Sequence, residues 1–212
     1  MCSEDAFHHA LDYFTSPDHP QSFELRGGTG GVLLSAPHAV LQTRNGRIKC
    51  AERFTGMLCL MLNERTGCPC VMKTRHLCDD ANHDPQSDYR DALCTYVRSH
   101  GIHTVLDLHQ LAPERPMALC IGTGRGRNLH GNERLVPLVR ECFMARGLGE
   151  ITVDEPFAAM NPHTVAADAA ERCSVPALQL ELNTSLLLNN PTACRFGAVL
   201  DALADVISQL NG

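Results

Sequence analysis

The sequence lacks the features that mark several large classes of protein. It has no run of basic residues, and 18 Lys and Arg against 24 Asp and Glu give a formal charge of −6 at pH 7. A nucleic-acid-binding protein is therefore not expected. No apolar stretch approaches the ~18 residues that a membrane span needs. The first residues contain no basic segment followed by an apolar run, so we expect no secretory signal.

Three common catalytic signatures are also missing. The sequence contains no His-Glu-x-x-His motif, which argues against a thermolysin-like protease but not against carboxypeptidase-like zinc. Ser35 stands outside a Gly-x-Ser-x-Gly elbow, so serine hydrolysis is not expected. The glycine-rich residues 122–127 lack the Gly-Lys-Ser/Thr ending of a phosphate-binding P-loop. We interpret them as a mobile basic loop above the functional site.

Cysteine is abundant, but its spacing indicates neither a disulfide framework nor a structural zinc site. The 11 cysteines are odd in number and spread almost evenly along the chain, unlike those of a small disulfide-rich secreted domain. Cys68, Cys70 and Cys78 form the one cluster, and they lack paired Cys-x-x-Cys spacing. We expect most cysteines to be buried apolar side chains in a reducing cytoplasm. Metal handling by thiols would require these three to converge.

Strand and helix patterns alternate along the 212 residues, a length typical of one domain. Strands are predicted at residues 32–36, 69–73, 102–109, 117–121, 151–153 and 176–183. Helices are predicted at residues 3–14, 49–66, 88–100, 132–146, 162–172 and 191–210, with Asn132 and Asn161 as the N-caps of the fourth and fifth. This alternation predicts a single α/β domain over residues 1–212, with a mostly parallel or mixed central sheet and helices on both faces.

Two histidines stand at the ends of predicted strands, where ligands bind in parallel sheets. His38 follows the apolar strand 32–36, and Asp107 and His109 share one face of strand 102–109 because side chains alternate along a strand. A single histidine in such a position is usually a hydrogen-bonded structural residue. Two histidines with a carboxylate available favour a metal site, because ionisable groups buried at converging strand ends are usually paired or metal-bound.

The strand at residues 176–183 has one polar face. Gln179, Glu181 and Asn183 alternate with three leucines, whereas a central parallel strand is normally apolar on both faces. The polar face therefore either lines a cavity or places this strand at the edge of the sheet.

Glu52 is the best third ligand because it opens the helix after the first strand; the alternative is a carboxylate favoured there by the helix dipole. Two imidazoles, one carboxylate and an open position make up the ligand set of a catalytic zinc in hydrolases. Such a zinc lowers the pKa of its water to roughly 7 and polarises a carbonyl. Glu181 is the candidate general base, which must lie within hydrogen-bond reach of that water.

Five short segments support this interpretation. In chain order they are Ser35-Ala36-Pro37-His38, Glu52, residues 80–85 with Tyr89-Arg90, Asp107-Leu108-His109, and residues 179–183. Together they resemble the N-formylglutamate amidohydrolase family, which is similar to zinc carboxypeptidases and succinylglutamate desuccinylases. The resemblance covers roughly residues 30 to 190. It implies a carboxypeptidase/phosphorylase-hydrolase-like fold, zinc at His38, Glu52 and His109, and Glu181 as the catalytic carboxylate.

The resemblance also implies a substrate side formed by Asn82, His83 and Arg90. Arg90 would pair with a substrate carboxylate or stabilise an oxyanion; the alternative is a solvated arginine on a helix. The family usually has arginines where His83 and Thr184 stand here, so these positions do not specify N-formylglutamate as the substrate.

From these features we predict a zinc-dependent amidohydrolase that cleaves an N-acyl amino acid or a similar small anionic amide. One alternative is a metallocarboxypeptidase acting on short or cell-wall peptides. Another is a non-catalytic protein of the same fold that binds a metal or an acidic small molecule. Neither nucleic acid nor a membrane is an expected partner, and the sequence does not indicate an oligomeric state.

Overall fold

The computed structural model describes residues 4–16, 18–188 and 195–212. The strands are β1 (Phe23–Arg26), β2 (Val32–Ala36), β3 (Gln42–Arg44), β4 (Arg47–Lys49), β5 (Cys70–Lys73), β6 (Thr104–Leu111), β7 (Leu119–Gly122), β8 (Ile151–Val153) and β9 (Ala177–Asn183). The helices are α1 (Glu4–Thr15), α2 (Arg53–Thr66), α3 (Asp88–Ser99), α4 (Leu135–Ala145), α5 (Val165–Cys173), α6 (Thr184–Leu187) and α7 (Arg195–Asn211).

Seven strands form one mixed sheet in the order β1-β5-β2-β6-β9-β7-β8. The four inner strands β5, β2, β6 and β9 are parallel. β1 is antiparallel to β5, and β7 is antiparallel to β9. β3 and β4 form a separate two-stranded hairpin. The predicted α/β class with a mixed central sheet is confirmed.

Helices cover both faces of the sheet. On one face Leu34 and Leu106 pack in a single apolar cluster with Met57 of α2 and Leu203 of α7. On the other face a second cluster joins the sheet to α3 and α5. Burying each large apolar side chain contributes roughly 1.5–3 kcal/mol. Apolar packing on both faces therefore stabilises the inner strands and the positions of their carboxyl ends.

The polar face of β9 lies inside the sheet, not at its edge, because β9 pairs with β6 on one side and β7 on the other. Leu178 and Leu180 face the cluster that contains α2 and α7. Gln179 and Glu181 therefore point to the opposite side. Of the two alternatives left open by the sequence, the edge position is therefore excluded, and the polar face is buried within the protein.

Two predicted helix N-caps are wrong. α4 begins at Leu135, and Asn132 only offers its backbone carbonyl to the Leu135 N–H, at 3.2 Å. α5 begins at Val165, and its N-cap is Thr164, whose side chain accepts from the Ala167 N–H. Asn161 instead belongs to the turn that precedes α5. Its backbone carbonyl accepts from the Thr164 N–H at 3.0 Å.

Other differences concern short elements. β1, β3 and β4 were not predicted, because a segment of three or four residues is too short for alternation to distinguish a strand. β4 occupies residues 47–49, so α2 begins at Arg53 and not at residue 49. The predicted helix start at residue 191 lies outside the described residues. None of the described helices is long and apolar enough to cross a lipid bilayer.

The glycine-rich loop at residues 122–127 makes hydrogen bonds to the segment that follows β8. The Thr123 hydroxyl donates to Asp154 at 2.6 Å, and the Gly124 N–H donates to the Ala158 carbonyl at 2.6 Å. Its location differs from the prediction. β7 is antiparallel to β9 and ends at Gly122, level with Gln179, so the loop does not lie beyond the carboxyl ends of β6 and β9.

Candidate metal and catalytic site

The structure brings His38, Glu52 and His109 together at the carboxyl ends of β2 and β6. Oε1 of Glu52 lies 3.1 Å from Nδ1 of His38, and Oε2 lies 3.2 Å from Nδ1 of His109. One potential ligand atom from each residue lies within 4.8 Å of the other two. The two imidazole rings are 4.7 Å apart between centroids and nearly perpendicular. The ligand set predicted from the strand ends therefore converges on one point.

Hydrogen bonds to backbone groups hold both the main chain and the carboxylate of Glu52 in place. Its N–H donates to the carbonyl of His38 at 2.7 Å, and its Oε2 accepts from the Gln110 N–H at 3.0 Å. The Gln110 side chain accepts in turn from the Phe54 N–H at the start of α2. The Glu52 side chain makes no capping bond to the helix, and its two oxygens lie against the two histidines.

A second carboxylate holds the far nitrogen of each histidine. Nε2 of His38 lies 2.8 Å from Oδ1 of Asp80, and Nε2 of His109 lies 3.0 Å from Oδ2 of Asp107. Such an arrangement suits metal binding, because an Nε2–H donated to the carboxylate fixes the tautomer whose Nδ1 lone pair can bind a metal ion. Both Nδ1 atoms face Glu52, so the donor set fits a metal ion held between two neutral imidazoles and one carboxylate.

Both supporting carboxylates are themselves held in place. The second oxygen of Asp80 accepts from Nε of Arg44 at 2.8 Å. The second oxygen of Asp107 accepts from the Ser35 hydroxyl at 2.8 Å, and the Ser35 hydroxyl also contacts the Tyr89 hydroxyl at 2.9 Å. This buried network leaves the two histidines little rotational freedom.

The electrostatics of the cluster favour a bound cation. Burial raises the pKa of Glu52, but attraction from His38 and hydrogen bonds from both histidines outweigh it and hold that pKa far below its usual value. Burial lowers the pKa of His109, but Asp107 and Glu52 outweigh it and raise that pKa well above its usual value. The carboxylates therefore stabilise positive charge at the histidines, and a metal cation can supply that charge in place of protons.

Glu181 lies beside the cluster. It pairs with His109 across β6 and β9, and it is 8% exposed. Burial raises the pKa of Glu181 to about 7, although nearby His109 opposes the shift. A carboxylate with a pKa near neutrality is suited to both accepting and returning a proton. Its Oε1 accepts from Nε2 of Gln179 at 2.8 Å, which fixes the orientation of the carboxylate.

Gln179 also presents an unused acceptor. Its side chain is 5% exposed, and its Oε1 has no hydrogen-bond partner among the described residues. Buried polar atoms without a partner are rare in native proteins and often indicate a missing water or ligand. In the sequence Gln179 shares the face of Glu181, and its position two residues before a candidate base was a usable signal for a role that was not predicted.

Asn82 and His83 lie at the rim of the cluster. Nδ2 of Asn82 is 3.3 Å from Nε2 of His109, and Oδ1 of Asn82 accepts from the Val165 N–H at 2.6 Å. Asn82 is therefore anchored to the start of α5 and lies close to the His109 ring. His83 is half-buried, and its ring makes no hydrogen bond within the described part of the chain.

Arg90 is buried in α3 and is not the solvated arginine of the alternative interpretation. Its guanidinium donates to the carbonyls of Ala81 at 2.5 Å and Asp84 at 2.7 Å. Its Nε lies 3.6 Å from the Asp168 carboxylate. These contacts hold the loop that carries Asp80, Asn82 and His83.

Sequence reasoning gave no role to three residues that shape the site: Asp80, Gln110 and Arg44. Asp80 begins one of the segments that carry the family resemblance, and Gln110 directly follows His109, so both had a local signal. Arg44 had none, because only the tertiary fold brings the β3–β4 hairpin against Asp80.

No protein-family model matches the chain, and no curated protein matches it by sequence. Several solved structures do match over most of its length. A bacteriophage poly-gamma-glutamate hydrolase is 14% identical with a TM-score of 0.54, covering 95% of this chain and 94% of that one. N-formylglutamate amidohydrolase from Ralstonia eutropha JMP134 is 14% identical with a TM-score of 0.55, covering 89% and 99%. A metallo-carboxypeptidase from Pseudomonas aeruginosa is 16% identical with a TM-score of 0.52, covering 99% and 68%.

These likenesses establish the fold. The chain has the architecture shared by metallo-carboxypeptidases and amidohydrolases. The resemblance to the N-formylglutamate amidohydrolase family, expected from five short segments, is confirmed at the level of the fold. The three proteins are named as hydrolases or peptidases, and in this chain a His-Glu-His group that could hold a metal lies at the ends of the central strands.

Proposed function

We propose that this protein is a metal-dependent amidohydrolase that cleaves an N-acyl amino acid or a similar small anionic amide. The observation that carries the proposal is the paired arrangement of the histidines: both Nδ1 atoms face Glu52, and a carboxylate holds each Nε2. The likeness in fold to an N-formylglutamate amidohydrolase supports the same class of reaction.

His38, Glu52 and His109 are the proposed ligands, and zinc is the proposed metal because two nitrogens and one carboxylate oxygen match its catalytic sites. When bound, zinc polarises a carbonyl and lowers the pKa of water to roughly 7. Asp80 and Asp107 keep the histidines in the tautomer that can bind it.

Glu181 is the proposed general base. It accepts a proton from the attacking water, whose oxygen forms a bond to the amide carbon. It then returns a proton to the leaving nitrogen as the C–N bond breaks, so its own charge is restored. Gln179 supports this role, because its N–H holds one oxygen of Glu181 and leaves the other for the water.

Asn82, His83 and Arg90 are the proposed substrate side. The position of the Asn82 amide near His109 and the free ring of His83 support contact with substrate. The hydrogen bonds of Arg90 to the loop carbonyls support a positioning role for this residue. Its direct contact with a substrate carboxylate stays a prediction.

A second candidate is a metallocarboxypeptidase acting on short or cell-wall peptides. The likeness to the metallo-carboxypeptidase from Pseudomonas aeruginosa favours it, since the chain aligns over 99% of its length. We also propose a cytoplasmic location, which the nine free cysteines of the described residues support.

The decisive experiment combines metal analysis with hydrolysis. Wild-type protein, Glu181→Gln and the exposed-surface control Glu171→Gln are assayed for zinc content and for amine release from a panel of N-acyl amino acids and short peptides. We expect all three to bind zinc, and Glu181→Gln alone to lose hydrolysis by about 10²–10⁴-fold. Full activity in Glu181→Gln would refute the general-base assignment, and zinc binding without any hydrolysis in wild type would favour the non-catalytic alternative.

A further inference from the structure

The β3–β4 hairpin separates two proposed metal ligands, His38 and Glu52, in the sequence. The side chain of Gln42 ties its base to the carbonyls of His38 at 3.1 Å and Cys50 at 3.3 Å. The Thr43 N–H donates to the carbonyl of Asp79 at 3.0 Å. The hairpin therefore stands at the edge of the candidate site as a fixed element.

One face of the hairpin carries three cationic residues. Arg44 pairs with Arg47, and Gln42 pairs with Lys49, across the two strands. Because cross-strand partners share a face and neighbours alternate, these four side chains lie on the same face. Gln42 binds the carbonyl of His38, and Arg44 binds Asp80. The cationic face is therefore the one that packs against His38 and its supporting carboxylate Asp80.

The charges of Arg47 and Lys49 on this face are not explained by the stability of the fold, whereas Arg44 pairs with Asp80. Arg47 and Lys49 are exposed, and neither has an acidic partner within the described ranges. Arg44 directly opposite Arg47 is a like-charge pair, which destabilises a hairpin. Arg53, which directly follows Glu52, is also exposed. This local excess contrasts with the net charge of −6 for the whole chain.

The chain geometry limits how far these cations lie from the metal ligands. Lys49 precedes Glu52 by three residues, so their Cα atoms are at most about 11 Å apart, and those of Arg47 and Glu52 at most about 18 Å. An extended peptide rises about 3.3 Å per residue. Carboxylates a few residues away from the hydrolysed bond would therefore meet the hairpin.

We propose that the hairpin face carrying Arg44, Arg47 and Lys49 binds an acidic peptide chain that extends out of the metal site. This rests on the proposed function and deepens it, because it assigns as substrate class an amide within a chain of several carboxylates. The hairpin sequence contains no aromatic residue on which bases could stack, so an acidic peptide fits this surface better than a nucleic acid.

The test measures binding without hydrolysis, so its outcome does not depend on the proposed chemistry. Fluorescein-labelled decaglutamate is titrated with full-length Glu181→Gln protein and followed by fluorescence anisotropy. Decaglutamine and an oligothymidylate of equal charge are the comparison ligands. The Arg47→Glu/Lys49→Glu pair is added on this background. The matched control, Arg98→Glu/Arg140→Glu, reverses two exposed cations on α3 and α4. A neutralising pair, Arg47→Gln/Lys49→Gln, guards against misfolding caused by charge reversal.

We expect decaglutamate to bind at least tenfold more weakly to the hairpin charge-reversal variant, with an intermediate loss in the neutralised variant and little change in the control. Raising the salt from 50 to 300 mM should weaken binding to the parent several-fold. Equal binding by parent and hairpin variant, or equal binding of decaglutamine, would overturn the proposal. Tighter binding of oligothymidylate than of decaglutamate would also overturn it, in favour of a nucleic-acid surface.

Discussion

Gln179 contacts the proposed general base and also contains a buried polar atom without a partner among the described residues. It donates to Glu181 at 2.8 Å, while its own buried carbonyl oxygen has no partner among the described residues. Replacing it by leucine removes both the donor that orients the base and the unsatisfied acceptor. Since a net hydrogen bond is worth about 1 kcal/mol, these two effects on stability should nearly cancel.

We therefore predict that Gln179→Leu lowers kcat by about tenfold, less than the 10²–10⁴-fold expected for loss of the general base itself, with little change in KM or in Tm. Gln209→Leu, at an exposed position on α7, is the control. Steady-state kinetics and thermal unfolding measure the two quantities separately. A loss of kcat that merely follows a loss of folded protein would assign Gln179 a structural role only.

Glu181 makes the stability of the metal-free protein depend on pH. Its pKa is raised to about 7 in the folded protein by burial, from a usual value of 4.5. Between these two values the folded state binds more protons than the unfolded state. The contribution of Glu181 to the free energy of unfolding therefore falls as pH rises from about 4.5 to about 7, and is constant outside this window.

In Glu181→Gln this contribution is absent. We predict that the free energy of unfolding of the variant, relative to wild type, rises by at most about 3 kcal/mol between pH 5 and pH 8. Urea unfolding in the presence of a chelator measures it. Parallel pH profiles for the two proteins would show that Glu181 has an ordinary pKa in the folded state.

At the scale of elements, the packing of α1 against α2 depends on a glycine in the interior of a helix. A Cβ atom at Gly56 would lie 2.5 Å from the ring of Phe14 and 2.7 Å from Cβ of Ala39. Both neighbours are buried. Alanine favours helix by about 1 kcal/mol over glycine, but here the added methyl group overpacks the interface.

We predict that Gly56→Ala is destabilising by about 1–3 kcal/mol, against the direction of helix propensity. Chemical denaturation measures the change, and zinc content shows whether the shift reaches Glu52 at the start of the same helix. A stabilised variant would mean that α1 can move away from α2 at little cost.

Elements with a strong pattern were predictable, and short ones were not. The alternation of leucine with polar residues in β9 predicted both the strand and the shared face of Gln179 and Glu181. Three-residue β3 and β4 carry almost no alternation, and their pairing depends on the contacts of Gln42 and Thr43 with distant backbone. The antiparallel direction of β7 likewise depends on its pairing with β9. Because of this direction, the glycine-rich loop does not lie at the position predicted for it, above the functional site.

At the scale of the whole molecule, the cysteines differ in exposure and therefore in their expected reactivity. Cys50 and Cys78 are exposed, whereas Cys59 and Cys70 are buried. Burial raises the pKa of Cys70 to about 12 and that of Cys59 well above its usual value. Because the thiolate is the reactive form, the raised pKa of Cys59 and Cys70 lowers their reactivity, and their burial lowers it further.

We predict that a thiol reagent at pH 8 modifies Cys50 and Cys78 in the native protein much faster than Cys59 and Cys70, and that all four react alike in denaturant. Peptide mapping by mass spectrometry after timed labelling distinguishes them. Rapid native labelling of Cys59 or Cys70 would indicate that the core opens easily. Zinc loss on labelling of the exposed pair would revive a role for thiols in metal handling.

The sequence by itself determined the class of fold and the identity of the candidate ligands, because alternation along strands and the polar residues at strand ends are local properties that spacing records. It placed His38, Glu52, His109 and Glu181 in one site before any distance was known. The tertiary structure alone decided that β9 is a central strand, that Asp80 and Asp107 orient the histidines, and that a cationic hairpin borders the site. These are relations between segments far apart in the chain, and packing sets them only after the sheet has formed.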